Sequence, residues 1–270
     1  MVINFKSIDQ LKLMRKAGLV VAEALELMKA EIVPGTTTNH LNEIAVKHLK
    51  KSNAKSNFLN YHGYPAVICA SVNDEIVHGI PNDNKIKDGD IVSIDFGAIV
   101  DGWHGDSAFS VVAGNADQED LKLIATCEES MWRGIAAARV DGHLTDISSA
   151  IEQYITSQGN YGILREYGGH GIGTSMHEDP HILNFGAPGM GPKLEVGIAL
   201  AIEPMITRGT SKTKVLGDDW TVVSQDGSRG AHFEHSFALL PDGKPLVLTA
   251  FDGGKSELSR LGVEISELIS

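Results

Sequence analysis

The chain has 270 residues, of which 42% are hydrophobic, so it can bury a large core and suits a large α/β or α+β enzyme fold. Its formal net charge of −12 argues against broad binding to a phosphate backbone, and DNA is not an expected partner. The only two cysteines, Cys69 and Cys127, argue against a disulfide framework and lack the spacing of zinc ligands.

The N-terminal segment, MVINFKSIDQLKLMRKAG, has no apolar stretch after its basic residues of the kind that a secretion signal carries. A run of about 18 apolar residues, the length of a membrane-spanning helix, occurs nowhere in the sequence. We therefore expect a cytoplasmic protein without membrane contact.

Two helices are predicted in the first part of the chain. The motif SIDQ (7–10) has the pattern of a capping box and opens a long helix with Leu11 and Met14 on its apolar face. The motif VPGTTT (33–38) opens the next helix, which one of its threonines can cap.

The segment VSIDFGAIVDGWHGDSAF (92–109) is typical of a β-hairpin with a carboxylate in each arm. Its Asp-Gly dipeptide predicts a two-residue type I′ turn, which places Asp95 opposite Ala108 and Asp106 opposite Gly97. Asp95 and Asp106 then point to the same face, with Cα atoms roughly 7–8 Å apart. Two anions this close need a shared proton or cation, unless both face water at the edge of a sheet.

The second half of the chain repeats the first. A helix is predicted over roughly 118–138, and the motif VDGHLT (140–145) then opens another helix that its threonine can cap. Two strand segments also align between the halves: KDGDIVSIDF (87–96) with EVGIALAIEP (195–204), and HGDSAFSVV (104–112) with HFEHSFALL (232–240). These alignments match Asp95 with Glu203 and Asp106 with Glu234.

Four carboxylates at matching strand positions would meet at one centre if the two halves are related by a pseudo-twofold axis. They cannot share a buried centre without cations, and oxygen-rich sites suit hard or borderline divalent metals. The repeat therefore predicts a metal site.

Histidines supply the other candidate polar groups. His170, in the glycine-rich segment YGGHGIGTSMHEDP, is present in only one half and is a candidate metal ligand, although a structural role is the alternative. His78 and His177 could each donate a hydrogen bond to a substrate carbonyl or its oxyanion, or could be core or turn histidines. The others are expected at the surface or in turns (His40, His48, His143, His181), or beside the acids as supporting groups rather than ligands (His104, His232, His235).

Six residues could line an apolar pocket near this site, although for each one taken alone core packing is the favoured role: Phe58, Tyr61, Tyr64, Cys69, Met176 and Trp220. Phosphate-binding, serine-nucleophile and HExxH zinc motifs are absent from the sequence.

With these residues identified, the chain resembles the methionine aminopeptidases, specifically their short bacterial type I form. The resemblance runs from about residue 7 to 249 and is carried by YHGYP, VNDEIVHGIP, DGDIVSIDF, WHGDSAF, GGHGIG, AIEPM, DDWT and FEHS, in the family's order. It implies the α+β pita-bread fold, with two pseudo-symmetric halves that each place helices over a curved antiparallel sheet. We expect one catalytic domain over 1–270, duplicated at approximately 7–115 and 116–250.

The resemblance also implies site roles and a reaction. The metal ligands are then Asp95, Asp106, His170, Glu203 and Glu234, and they hold two divalent ions, which could be Co, Mn, Fe or Zn. A hydroxide activated by both ions attacks the first peptide carbonyl, and Glu203 also serves as general base. His78 and His177 position the scissile amide, and the six apolar residues form or border the methionine pocket.

Four residues depart from the family's usual pattern. Met176 stands where Phe is common, Phe58 where a small residue is common, and His232 and Ser236 where Gln and Thr are usual. The first two alter the expected shape of the pocket, and the other two lie around Glu234. The expected partners are N-terminal Met-X peptides of nascent proteins, with the ribosome as a candidate, and a monomer is expected.

Two other functions stay open at this point. One is an X-Pro aminopeptidase or prolidase on the same fold, and the other is a pseudo-peptidase that only binds. We favour a third function over both, because all five ligands are present. This function is removal of the initiator methionine from nascent proteins whose second residue is small.

Overall fold

The computed structural model describes residues 2–269. The helices of this part of the chain are α1 Ile8–Lys29, α2 Thr38–Lys51, α3 Gln118–Ala137, α4 Leu144–Gln158 and α5 Lys255–Arg260. Its strands are β1 Lys55–Ser56, β2 Cys69–Val72, β3 Glu75–Val77, β4 Ile91–Val100, β5 Trp103–Val112, β6 Gly162–Ile163, β7 Gly169–Gly171, β8 Glu178–Ile182, β9 Ala199–Ile202, β10 Met205–Thr207, β11 Thr213–Val215, β12 Val222–Ser224, β13 Gly230–His232, β14 Glu234–Leu239 and β15 Pro245–Val247.

The long first helix begins where the capping box predicted. The Ser7 hydroxyl accepts a hydrogen bond from the Gln10 amide N–H, and the Gln10 side-chain oxygen accepts one from the Ser7 N–H. Both bonds satisfy N–H groups that have no partner inside the helix. Leu11 and Met14 are fully buried, so α1 turns its apolar face to the sheet.

The two shorter helices of the repeat are capped differently. Thr37 caps α2, as the sequence predicted. The prediction of a threonine cap is wrong for α4, which starts after His143, where the Asp146 carboxylate accepts a hydrogen bond from the His143 N–H. Thr145 instead exchanges hydrogen bonds with the backbone of Met190.

Nine strands form one curled sheet in the order β1-β4-β5-β14-β9-β7-β8, with β2 also pairing with β4 and β15 with β14. The hairpin of β4 and β5 has the predicted register, with Asp95 opposite Ala108 and Asp106 opposite Gly97. Asp101 and the glycine after it have positive φ angles of 51° and 82°, as a type I′ turn requires.

The two halves of the repeat meet inside this sheet. Strand β5 of the first half pairs with β14 of the second, and the β4 and β9 strands lie outside them. The order β4-β5-β14-β9 therefore places the aligned strands symmetrically about the β5–β14 junction. Helix α1 packs on β4 and β5, and α3, which packs on α4, also contacts β9 and β14, so helices lie against strands of both halves.

The prediction that His48 is a surface or turn residue is wrong. His48 is only 4% exposed, and its Nε2 lies 3.1 Å from the Val20 carbonyl oxygen, between α1 and α2. The helical spacing of His48 indicates the inner face of α2, whereas the polarity of its side chain favours the surface. Within residues 2–269, no helix is both long and apolar enough to span a membrane.

Replacing Gly18 by alanine is expected to lower the free energy of unfolding by about 1–3 kcal/mol. A Cβ atom there would lie 2.1 Å from the Leu248 carbonyl oxygen, so α1 would have to move from the sheet. This expected loss is net of the roughly 1 kcal/mol that alanine contributes over glycine inside a helix. Urea denaturation measures it, with Gly217→Ala as the control because a Cβ at Gly217 has open space. A Gly18→Ala protein as stable as the wild type would contradict the close packing.

Candidate metal centre

A row of acidic residues crosses the middle of the sheet on one face. Asp95 on β4 and Glu234 on β14 both lie opposite Ala108 on β5, and Asp106 precedes Ala108 by two residues. Residues opposite each other, or two apart, share a face of a sheet. Extending the β14–β9 register by one residue places Glu203 opposite Glu234. The small side chain of Ala108 leaves space between the four carboxylates.

His170 joins this row from strand β7, which pairs with β9. Its Nε2 lies 3.5 Å from Glu203 Oε1 and 3.9 Å from Glu234 Oε1. Its Nδ1 lies 2.9 Å from the Gly171 carbonyl oxygen and must donate to it, which leaves the lone pair on Nε2 free to bind a cation. Asp106, His170 and Glu234 offer ligand atoms within 4.8 Å of one another, a spacing that suits one metal ion.

The acids are crowded, and three of their oxygens have no hydrogen-bond partner among the described residues. Asp106 and Glu234 are each 3% exposed, and within the described residues Asp106 Oδ1, Glu234 Oε1 and Asp95 Oδ1 are buried without a hydrogen bond. Buried polar atoms are nearly always satisfied, and unpaired buried charges are costly. Carboxylate oxygens left in this state fit a site that holds divalent cations.

Burial raises the pKa values of these acids. The pKa of Asp106 rises to about 7. Burial and the neighbouring Asp106 carboxylate hold the pKa values of Asp95, Glu203 and Glu234 well above their usual range. The same burial lowers the pKa of His170 to about 3, so its imidazole is neutral at physiological pH. The carboxylates of this centre thus repel one another when ionised, and a bound cation would offset that repulsion.

Two histidines stand beside the acids. His177 has its Nδ1 2.8 Å from the Tyr61 hydroxyl, and its ring contacts that of His170 edge to face. Burial lowers the pKa of His78 to about 4. His78 also has a backbone φ angle of +61°. Residues other than glycine adopt this strained conformation infrequently, and it is concentrated at functional sites.

One cavity of about 120 Å³ joins the acids to an apolar surface. Its lining includes every site residue proposed from the sequence, together with Val77: Phe58, Tyr61, Tyr64, Cys69, His78, Asp95, Asp106, His170, Met176, His177, Glu203, Trp220 and Glu234. Phe58, Tyr64, Cys69 and Met176 are buried together in a cluster separate from the main core. The rings of Tyr64 and Trp220 pack edge to face at 5.0 Å. The cavity therefore has a carboxylate end and an aromatic, sulfur-containing end.

Sequence reasoning missed a buried ion pair behind His177. Lys6 Nζ lies 2.8 Å from Glu178 Oε2, and both side chains are almost completely buried. The other Glu178 oxygen accepts hydrogen bonds from the Thr174 and Ser175 N–H groups. Glu178 follows His177 directly, so the pair anchors the turn that presents His177. A separation of 172 residues along the chain leaves no local pattern from which this contact could be read.

Comparison with known proteins extends over most of the chain. A family model described as metallopeptidase family M24 matches residues 12–240. A methionine aminopeptidase of Clostridium perfringens is 47% identical over 247 residues, which cover 92% of this chain and 98% of that protein. Methionine aminopeptidase 1 of Mycobacterium tuberculosis is 49% identical over 254 residues, covering 92% of this chain and 95% of that protein.

Solved structures have the same architecture. The crystal structure of methionine aminopeptidase from Rickettsia prowazekii matches with a TM-score of 0.90 at 38% identity, covering 92% of this chain and 100% of that one. The prolidase from Pyrococcus furiosus, at 21% identity and a TM-score of 0.73 over 91% of this chain and 65% of that chain, shows the shared fold alone. The expected α+β pita-bread fold is confirmed.

Proposed function

This chain belongs to the methionine aminopeptidases of metallopeptidase family M24, and we propose that its cavity cleaves the bond after an N-terminal methionine when the second residue is small. It is a metal-dependent hydrolase that removes N-terminal methionine. The observation that carries the proposal is a cavity whose apolar end opens directly onto the buried carboxylates. We expect a methionine side chain to occupy the first part and its peptide carbonyl to reach the second.

Five residues would hold the metal: Asp95, Asp106, His170, Glu203 and Glu234. We propose that they hold two divalent ions, drawn from Co, Mn, Fe and Zn, because four carboxylates carry more charge than one dication neutralises. When bound, such ions would lower the pKa of a water molecule and supply a nucleophile near neutral pH. Asp106 and Glu234 lie on the adjacent strands β5 and β14, in the middle of the row of acids, and would hold the metal there.

Glu203 would transfer the proton during the reaction. It lies at the cavity, its side chain is 13% exposed, and burial with the Asp106 charge raises its pKa. A carboxylate with a raised pKa can accept the proton of the attacking water and give it to the departing amine.

His78 and His177 would hold the scissile amide. Both are neutral near pH 7, because burial lowers the pKa of each. If the Tyr61 hydroxyl donates to Nδ1 of His177, the ring proton is on Nε2 and can be donated to the substrate oxygen. With neutral rings, both histidines would donate hydrogen bonds to the negative charge that develops during attack.

The apolar end selects the methionine side chain. Phe58, Tyr64, Cys69, Met176 and Trp220 provide aromatic rings and sulfur atoms, which make favourable contacts with a thioether. Cys69 lies opposite Asp95 in the β2–β4 pairing, so a side chain bound there ends close to the carboxylates.

The test is hydrolysis of Met-Ala-Ser, Met-Pro-Pro and Ala-Pro with metal content measured in parallel. We expect methionine release from Met-Ala-Ser only with added divalent metal. Release without metal would contradict the proposal, and cleavage of Ala-Pro alone would favour an X-Pro peptidase. A protein that binds metal but cleaves none of the three would be a binding module.

Lys6→Met is expected to lower kcat by about 10–100-fold with little change in KM or metal affinity, because the turn carrying His177 loses its anchor. Lys12→Met is the matched control, since Lys12 forms an exposed ion pair with Asp9. Steady-state kinetics on Met-Ala-Ser measures the effect. A folded Lys6→Met protein with wild-type kcat would show that the ion pair does not position His177.

We propose that the chain is a single catalytic domain over 1–270 and works as a cytoplasmic monomer on nascent chains. Sedimentation of the protein alone tests the oligomeric state, and sedimentation with ribosomes tests whether the ribosome is a partner. A dimer at micromolar concentration would contradict the first part of this proposal. Failure to sediment with ribosomes that carry nascent chains would contradict the second.

A further inference from the structure

His232 is a buried polar residue that the reaction described above does not use. It is 1% exposed, and within the described residues its Nε2 has no hydrogen-bond partner. That nitrogen lies 3.7 Å from Glu203 Oε2 and 4.0 Å from Glu234 Oε2. These distances are too long for hydrogen bonds, so the imidazole points at the two carboxylates without bonding to either.

The same two glutamates face His170 with their other oxygens. His170 Nε2 is 3.5 Å from Glu203 Oε1 and 3.9 Å from Glu234 Oε1, nearly the same distances as on the His232 side. Each glutamate therefore turns one oxygen to each of two imidazoles. Glu203, His232 and Glu234 also offer ligand atoms within 4.8 Å of one another.

These spacings suit ligands around a cation. Nitrogen and oxygen donors about 2.1 Å from a transition metal ion are separated by about 3.0–3.5 Å. The observed distances exceed this by a few tenths of an ångström, which small side-chain rotations can close.

The backbone holds His232 in this place independently of any ion. Its N–H donates to the Ser110 hydroxyl, which in turn donates to the His232 carbonyl oxygen. Ser110 is itself 2.7 Å from the Ser93 hydroxyl, and Met205 pairs with His232 across strands β10 and β13. The backbone of His232 is thus held on both sides, by Ser110 and by strand β10.

We propose that His232 is a sixth ligand of the metal centre and binds a divalent transition metal ion together with Glu203 and Glu234. This replaces the expectation that His232 only supports the ligands. A second imidazole makes the site richer in nitrogen, which favours Co²⁺, Zn²⁺ or Ni²⁺ over Mn²⁺. The inference rests on the proposed metal centre and adds a ligand to it.

Counting the bound histidines tests the inference. Metal-free protein with ¹⁵N in its histidine rings is titrated with Zn²⁺, a diamagnetic ion that strongly shifts the resonance of a ring nitrogen only where it binds that nitrogen. We expect two shifted rings in the wild type, one in His232→Gln, and two in the control His48→Gln. The number of shifted rings in the wild-type protein is itself a test, so the result does not depend on whether a variant folds.

The outcomes separate this inference from the proposed function. One shifted ring in the wild type, lost only in His170→Gln, would overturn the inference and leave the metal centre intact. No shifted ring would overturn both. Calorimetry gives a second readout: His232→Gln is expected to weaken Co²⁺ binding by at least about tenfold and Mn²⁺ binding less. Equal losses for both ions would contradict nitrogen ligation.

Discussion

Asp106→Asn is expected to lower kcat/KM for Met-Ala-Ser by at least about 10³-fold, because several kcal/mol of transition-state stabilisation depends on the metal centre. Asp106 lies on β5, two residues before Ala108, and belongs to the group of ligand atoms that includes His170 and Glu234. An amide there removes a negative charge and one anionic oxygen. Steady-state kinetics at saturating Mn²⁺ or Co²⁺ measures the loss.

The same substitution is expected to stabilise the metal-free protein. Asp106 raises the pKa values of Asp95, Glu203 and Glu234, so removing its charge relieves repulsion among them. The melting temperature without metal should therefore rise, while the further rise on adding metal should shrink. Asp9→Asn is the control, since it removes an exposed aspartate with the same chemical change. An Asp106→Asn enzyme within tenfold of the wild type would refute the assigned role.

The geometry of the first two carboxylates could be predicted because it is local. The Asp-Gly turn fixes the register of β4 and β5, and register fixes which side chains share a face. Alignment of the halves then identified Glu203 and Glu234. It could not show that β5 pairs with β14, because no pattern in the sequence encodes a pairing between strands so far apart in the chain.

The two wrong predictions, for Thr145 and His48, have a common physical origin in the tertiary contacts of the side chains. Thr145 has the chemistry of a helix cap, but it bonds to the backbone of Met190 and His143 takes the cap position. His48 is polar but finds a carbonyl partner inside the packed helices. His232 could be placed near Glu234, whereas its approach to Glu203 depends on how β9 and β13 lie in the folded chain. Each outcome is decided by tertiary packing.

Without metal, the protein is expected to lose stability as the pH rises from about 6.5 to 8, and bound divalent metal should remove this dependence. Asp106 has a pKa of about 7 in the folded protein and 3.8 as its ordinary value. Between these values the folded state holds a proton that the unfolded state releases. Stability then falls with increasing pH, by up to about 1.4 kcal/mol per pH unit for each such group.

The histidines define the lower limit of this pH window. Burial lowers the pKa values of His170 and His232 to about 3, so between pH 3 and the ordinary histidine value of 6.5 the unfolded state binds more protons at these rings. Their contribution therefore rises with pH up to about 6.5 and is constant above it. Below this pH, the histidines make the free energy of unfolding rise with pH while the carboxyls make it fall. Above this pH, only the carboxyls change it.

Urea unfolding of chelator-treated protein at four pH values between about 6.5 and 8 measures the slope, with a matched series in Mn²⁺. Asp95, Glu203 and Glu234 have raised pKa values as well, so the decline should continue above the pKa of Asp106. Asp106→Asn should flatten it, because the remaining acids then ionise more easily. A metal-free stability that is constant or rises over this range would mean that the acids do not crowd one another, and the electrostatic reason for binding two ions would be lost.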